Sequence, residues 1–297
     1  MSHRRLRQSL GRLRLRVRLS LFGNNQALTT NALYKLYHRG AQKSWLGGAD
    51  LSPSDFEAAG RFAHDGFLVL HPPVAPDRAR RVKETVDALF AEPDRVQPIS
   101  DGLSRLRDGL EHVPEVTEFL AGPVERAVEA YYRSHFKLYG VYFYRTAPTP
   151  TRAQSSFLWH VDNVPTEEIK LMVYLDDTVD ETGAFRCKTR SATDRVKAQG
   201  WWQRDASSRF HDVLEDPATT TVFEGPVGTS ILFQNGGVAH KATSPLRDHR
   251  DVVTFVIVPS DIPWRAHFPR NRHKLSTNTG VCLNPYTDRP QSIGYRE

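Results

Sequence analysis

The segment Trp159-His160-Val161-Asp162-Asn163 sets an imidazole and a carboxylate two positions apart. On extended backbone both side chains leave the same face, so they can chelate one ion. His240 follows in Gly236-Gly237-Val238-Ala239-His240-Lys241, and Arg250 stands just ahead of a β-branched run. Two imidazoles and one carboxylate make a facial triad that holds Fe(II) and leaves three coordination positions for a bidentate ligand and O2. The His-x-Asp pair alone is a weak signal, since roughly one such pair is expected by chance at this content of His and acids. Its ordinary reading is an Asp that caps a turn beside an imidazole. Joined to His240 and Arg250, it points to a metal centre.

Other residues fall near this set. Tyr142 and Tyr144 share one face of a strand entering the site and could hydrogen-bond a cofactor, although aromatic residues in strands are usually core. Lys170 opens the next strand, either as partner to a carboxylate in the barrel or as a solvated residue at the strand edge. Arg247 is the alternative to Arg250, but it follows Pro245 in a loop. Arg186, Lys188, Arg190, Trp201 and Trp202 lie between the two halves of the triad, and as a lid they would suit an anionic or sugar-like substrate. His64, His211 and His249 lack partners at ligand spacing and read as structural or exposed.

These residues need a frame to hold them. Ser52-Pro53-Ser54-Asp55 offers an N-cap and a first-turn proline, predicting a helix to about His64. Gly66 ends it before a short buried strand, Phe67 to Leu70. Apolar spacing predicts further helices over Pro76 to Ala91 and Val116 to His135. Beyond residue 136 the pattern becomes short β-branched or aromatic runs, 138–145, 169–175, 219–223, 229–233 and 252–259, separated by Gly, Pro, Asp and Asn. Helices first and then an antiparallel β core make an α+β, mainly β chain of the sandwich or jelly-roll kind.

On these residues the chain resembles the Fe(II)- and 2-oxoglutarate-dependent oxygenases, specifically the phytanoyl-CoA dioxygenase-like branch. The resemblance spans most of residues 52–260: His64-Asp-Gly-Phe-Leu-Val-Leu, Trp159-His-Val-Asp-Asn, Lys170-Leu-Met-Val-Tyr-Leu-Asp-Asp with Gly183-Ala-Phe, His240 and Arg250. It implies a double-stranded β-helix (cupin-like) core with N-terminal helices packed on it. His160, Asp162 and His240 would ligate Fe(II), and Arg250 would bind the far carboxylate of the cosubstrate 2-oxoglutarate. The implied reaction consumes O2, releases succinate and CO2, and hydroxylates an organic substrate; Asp162 argues against the halogenases of this superfamily, which vacate the carboxylate position. Two features depart from the pattern. Lys188-Thr-Arg-Ser-Ala-Thr replaces the usual Pro-Gly-Ser-His, and Val252 stands where a Ser or Thr is common, so the carboxylate needs a second contact from elsewhere.

Composition bounds the rest. At 297 residues with 39% hydrophobic residues, the chain can bury a full core without staples. It has no apolar run long enough to span a bilayer. Its two cysteines, Cys187 and Cys282, are too few for a disulfide scaffold and read as reduced thiols of a cytoplasmic enzyme. Ten of the 40 basic residues fall in residues 1–49, which have no acid, so residues 50–297 carry 30 bases against 34 acids, a net of −4. The chain therefore divides into a basic leader, 1–49, and a mildly acidic catalytic domain, 50–297. The body lacks the basic, aromatic-interleaved face of a nucleic-acid binder. Residues 1–22 read as a solvated arm, a segment on an anionic membrane surface, or an Arg-rich transit peptide. The stretch from Ala32 to Trp45 either docks on the body or extends the same surface. A basic Leu-rich leader on an acidic body fits a peripheral enzyme at the inner membrane face, such as the Kdo 3-hydroxylase type within the branch, with a lipid-linked sugar as substrate. A small metabolite is the other expectation. Two other classes compete: a cupin-like metalloenzyme that does not use 2-oxoglutarate, and a non-catalytic membrane-associated binding protein.

Overall fold

The computed structural model describes residues 28–47, 51–70, 74–149, 155–162, 164, 167–201, 204, 210–276, 281–283 and 290–292. The basic segment 1–22 and Trp202 lie outside them.

Helix α1 (Leu28–Ser44) docks on the body: Gln42 Nε2 donates to the Tyr132 carbonyl at 2.8 Å, and Tyr37 donates to Asp261 at 2.9 Å. Helix α2 (Pro53–Asp65) starts on a capping box between Ser52 and Asp55, a device that contributes about 1 kcal/mol, and stops at Gly66 in the left-handed region. Strand β1 (Phe67–Leu70) and helix α3 (Pro76–Phe90) follow. Strands β2 (Val96–Ser100) and β3 (Leu103–Leu106) precede the short helix α4 (Gly109–His112). The expected helix over 116–135 is two pieces, a 3-10 segment Pro114–Leu120 and α5 (Pro123–Tyr132). Gly122, at φ 71°, and Pro123 break it, since neither residue continues a helix.

The β region then runs β4 (His135–Thr146), β5 (Ile169–Tyr174), β6 (Phe185–Lys188), helices α6 (Arg190–Ala198) and α7 (His211–Leu214), β7 (Thr220–Phe223), β8 (Ser230–Phe233), β9 (His240–Lys241), β10 (Arg250–Ser260) and helix α8 (Trp264–Ser276). Thr189 caps α6, so the departure at Lys188-Thr189-Arg190 is a helix start. Two antiparallel sheets face each other: a seven-stranded one in the order β1-β8-β5-β10-β4-β3-β2, and a small one, β7-β6-β9, extended by the bridge from His240 to His160. This is a double-stranded β-helix with helices packed outside it, as expected. The helical half is not purely helical, because β1, β2 and β3 join the large sheet.

Register decides what faces inward. Val252 lies opposite Tyr144 and Tyr174, and Thr254 opposite Tyr142 and Met172. By strand alternation these residues, with Lys170 and Arg250, share the inner face. Phe143, Leu171, Val173, Val253 and Phe255 take the outer face, in one core with Val82, Val86 and Leu89 of α3 and Val128 of α5. The outer side of the small sheet packs Trp159, Val161 and Ala239 against Val196 of α6 and Leu214 of α7. Between the sheets, Met172, Tyr174, Phe185, Phe223, Ile231, Phe233 and Val252 form an apolar lining.

Candidate metal centre

His160 and His240 form a hydrogen-bonded antiparallel pair, each backbone N–H donating to the other's carbonyl at 3.1 and 2.8 Å. The Asp162 N–H donates to the Asn235 carbonyl at 2.8 Å, which fixes the segment carrying both ligand types. His160, Asp162 and His240 each offer one donor atom, and the three atoms lie within 4.8 Å of one another. Asp162 Oδ1 stands 3.7 Å from His160 Nε2 and 3.8 Å from His240 Nε2. Each Nδ1 meets a backbone carbonyl, Leu158 at 2.8 Å and Val238 at 3.0 Å. That bond holds the proton on Nδ1 and leaves both Nε2 lone pairs facing the carboxylate.

The electrostatics suit a cation. Burial pushes His160 down to about 3, with the neighbouring His240 adding to it and Asp162 opposing. Burial likewise lowers His240, so both imidazoles are neutral at ordinary pH. Burial alone would raise the Asp162 pKa, but the Lys170 ammonium beside it outweighs that and holds the carboxyl well below the usual range. The triad is therefore two neutral donors and one carboxylate before any metal arrives.

Asp162 Oδ2 accepts from Lys170 Nζ at 2.6 Å and from Asn235 Nδ2 at 3.0 Å. Asn235 Nδ2 also donates to Glu168 Oε1 at 2.8 Å, bridging two carboxyl groups. Burial pushes the Glu168 carboxyl up to about 7. Of the two sequence readings, Lys170 thus takes the carboxylate partner, and that partner is the candidate ligand itself. Sequence reading missed Asn235 and Glu168; their signal, a polar residue beside each strand end of the site, is indistinguishable from loop chemistry.

Arg250 is buried at the mouth of β10. Its Nη1 donates to the Gly183 carbonyl and its Nη2 to Thr146 Oγ1 at 3.2 Å. Gly183 has φ 89°, and a Cβ there would meet the Thr243 carbonyl at 2.7 Å, so only glycine places that acceptor. Among the described residues no carboxylate pairs with Arg250, and its Nε, like Thr254 Oγ1 on the same inner face, has no hydrogen-bond partner. Arg247 is exposed and, among the described residues, reaches Glu181 at 3.5 Å. Tyr144 packs with the apolar lining, whereas Tyr142 lies under the guanidinium of Arg105, whose Cζ is 5.7 Å from the ring centroid.

Of the expected lid cluster, Arg186, Lys188 and Trp201 do not gather into a ligand surface. Lys188 is buried, donating to the Asp216 carbonyl at 2.8 Å and to Thr220 at 2.6 Å. Trp201 is in the core behind the small sheet, and Arg186 pairs with Asp180 at 2.5 Å. A buried, satisfied lysine and a core tryptophan do not form a ligand surface. Nor is His249 isolated: it stands within 3.7 Å of Asp87 and 3.6 Å of Asp251.

No protein-family model matches the chain, and no curated protein matches it by sequence. Solved structures do match. The non-heme alpha ketoglutarate dependent epimerase SnoN from nogalamycin biosynthesis aligns at TM-score 0.53 and 13% identity, over 70% of this chain and 84% of that one. The carbocyclase SnoK from the same biosynthesis aligns at TM-score 0.52 and 13% identity, over 75% and 94%. EctD from S. alaskensis, solved with 2-oxoglutarate and 5-hydroxyectoine, aligns at TM-score 0.54 and 14% identity, over 72% and 78%. At identities this low, the likeness is one of fold alone.

Proposed function

We propose that the chain is an Fe(II)- and 2-oxoglutarate-dependent oxygenase that hydroxylates an organic substrate. The observation that carries this is one barrel interior holding both the His160-Asp162-His240 triad and a buried Arg250 without a carboxylate partner. The donor set fits Fe(II), since neutral imidazoles and one carboxylate on a single side suit that ion and keep positions open. Arg250 fits the far carboxylate of 2-oxoglutarate: Gly183 and Thr146 each take one terminal nitrogen, Nε has no partner, and a guanidinium matches a carboxylate two bonds at a time. Thr254 Oγ1 is a further unsatisfied group on that face, where Val252 supplies none.

Fe(II) with 2-oxoglutarate bound supplies the oxidising chemistry, drawing on O2 and releasing succinate and CO2. The protein's part is positional. Leu158 and Val238 carbonyls aim the imidazoles, Lys170 and Asn235 hold Asp162 by its outer oxygen, and the lining of Phe185, Phe223 and Phe233 excludes water. Retention of Asp162 favours hydroxylation over halogenation.

The phytanoyl-CoA dioxygenase-like branch is the closest reading of the motifs. Substrates are a small metabolite or a lipid-linked sugar such as Kdo-lipid A, the latter calling for a cytoplasmic enzyme whose residues 1–22 touch an anionic membrane. The decisive experiment is anaerobic addition of Fe(II) and then 2-oxoglutarate, read by the visible metal-to-ligand charge-transfer band. A band lost in both Asp162→Ala and Arg250→Ala supports the assignment; a folded, iron-loaded chain with no band removes it. Succinate release with Kdo-lipid A precursor separates the substrates, and sedimentation with anionic liposomes at low and high salt tests the leader.

A further inference from the structure

The large sheet continues past the barrel through β3, where Arg105 pairs in register with Tyr144, an inner-face residue. Arg105 therefore leaves β3 on the inner side. It is 5% exposed. Its Nε donates to Gln97 Oε1 at 2.9 Å, and its Cζ sits over the Tyr142 ring. Among the described residues no carboxylate pairs with it, and its terminal nitrogens make no hydrogen bond. Arginines this deep are ordinarily paired with a carboxylate. Arg145 shows the ordinary case in this chain, held by Asp87 and Asp251.

The position relates this charge to the metal centre. Tyr142 faces Thr254 across β10, Thr254 faces Met172 of β5, and the next inner residue of β5 is Lys170, which grips Asp162. Arg250 lies at the other end of that face, against Gly183, Thr146 and Tyr174. A 2-oxoglutarate has two carboxylates, one for the metal and one for Arg250. A second buried guanidinium then needs an anion from another molecule.

We infer that Arg105, with Tyr142 and Gln97, forms a subsite for an anionic group, a carboxylate or a phosphate, carried by the substrate. Naming the occupant as substrate rests on the oxygenase reading; the anion site itself does not. A tyrosine ring beneath the guanidinium fixes its plane and leaves its edge for a two-oxygen acceptor. Lysine would supply the charge without that fork.

The test uses the full chain saturated with Mn(II) and 2-oxoglutarate, with inorganic phosphate and 13C-acetate as probes in separate arms. Paramagnetic relaxation of the 31P or 13C nucleus reports an anion bound beside the metal. Wild type is expected to relax at least one probe, Arg105→Gln to weaken that binding about tenfold or more, and Arg105→Lys to fall between. Which probe responds tells phosphate from carboxylate. Equal relaxation in wild type and Arg105→Gln, or none in wild type, overturns the inference. If the chain takes up no Mn(II) and 2-oxoglutarate, it is the oxygenase reading that fails. The subsite is then decided by the thermal shift that phosphate or acetate gives the metal-free chain: a shift lost in Arg105→Gln supports it, and equal or absent shifts overturn it. Arg105→Met adds a folding control, since removing an unpaired buried charge should keep or raise the Tm, whereas removing a structural arginine would lower it.

Discussion

Lys170 Nζ lies 2.6 Å from Asp162 Oδ2, while both imidazole Nε2 atoms face Oδ1 of the same carboxylate. The carboxylate is thus divided, one oxygen for a metal and one for an internal cation. In the metal-free chain Lys170 is the main counterion of a buried anion. Lys170→Met is expected to lower unfolding free energy by about 3 kcal/mol, measured by urea titration. Because a divalent ion supplies the missing charge, the rise in Tm on adding Zn(II) or Fe(II) should be larger in the variant than in wild type.

Asn235 holds the same oxygen without carrying charge, so it separates orientation from electrostatics. Asn235→Ala removes the side-chain bond to Asp162 but keeps the backbone one. Metal affinity should fall about 10- to 100-fold, the usual cost of losing such support, as read by competition with a chelating dye.

Arg250 and Arg247 make a matched pair of controls. Arg250 is buried on the inner face, and Arg247 is solvated beside Glu181. Arg250→Gln should weaken 2-oxoglutarate binding about a hundredfold with metal binding intact, and Arg247→Gln should leave both unchanged. Anaerobic titration of the charge-transfer band measures this directly.

Much of this site was legible because metal chemistry needs particular residue types at fixed spacing: His160 and Asp162 share a face in any extended segment. The strands that carry their own pattern, such as Phe67 to Leu70, were legible too. What stayed hidden depends on partners far along the chain. Val96-Gln-Pro-Ile-Ser and Leu103-Ser-Arg-Leu have no strand pattern, and they become β2 and β3 only by pairing with each other and with β4. Arg105 could not be placed without that register. In β10 both faces are buried, so Val252 to Val258 reads as one apolar run and conceals which residues point inward. Lys188 and Trp201 looked like surface chemistry because sequence does not show that Asp216, Thr219 and Thr220 return to satisfy the lysine.

Acid stability of the metal-free chain tests the buried histidines. His160 drops from 6.5 unfolded to about 3 folded, so the unfolded chain binds more protons between those values. Stability from this group is full above pH 6.5 and is lost as pH falls. At pH 5 the loss is about 2 kcal/mol, with His240 adding in the same direction. Glu168 works oppositely: raised from 4.5 to about 7, it keeps its proton longer when folded, and its contribution fades as pH rises through that window. The two offset one another between pH 5 and 6.5. Glu168→Gln should therefore turn a shallow profile into a steep one, and urea titrations at pH 5.0 and 6.5 measure the difference.

A second set of donors, Asp87, His249 and Asp251, converges on the outer face of β10. Its oxygens are already occupied. Arg145 donates to Asp251 at 2.8 and 2.6 Å and to Asp87 at 2.5 Å, and Lys83 donates to Asp87 at 2.6 Å. A divalent cation there would have to displace two fixed cations and meet their repulsion, so metal titration should saturate at one ion per chain. Asp251 is fully buried and adjoins Arg250, so one strand end is pinned by charge on the outer face while it offers charge on the inner. Asp251→Asn leaves Arg145 and Lys83 facing a neutral amide and should cost about 3 kcal/mol or more of stability. Pairing it with Arg145→Met should recover part of that cost, since the double variant removes both members of the ion pair; strictly additive losses would show that the two side chains are not coupled.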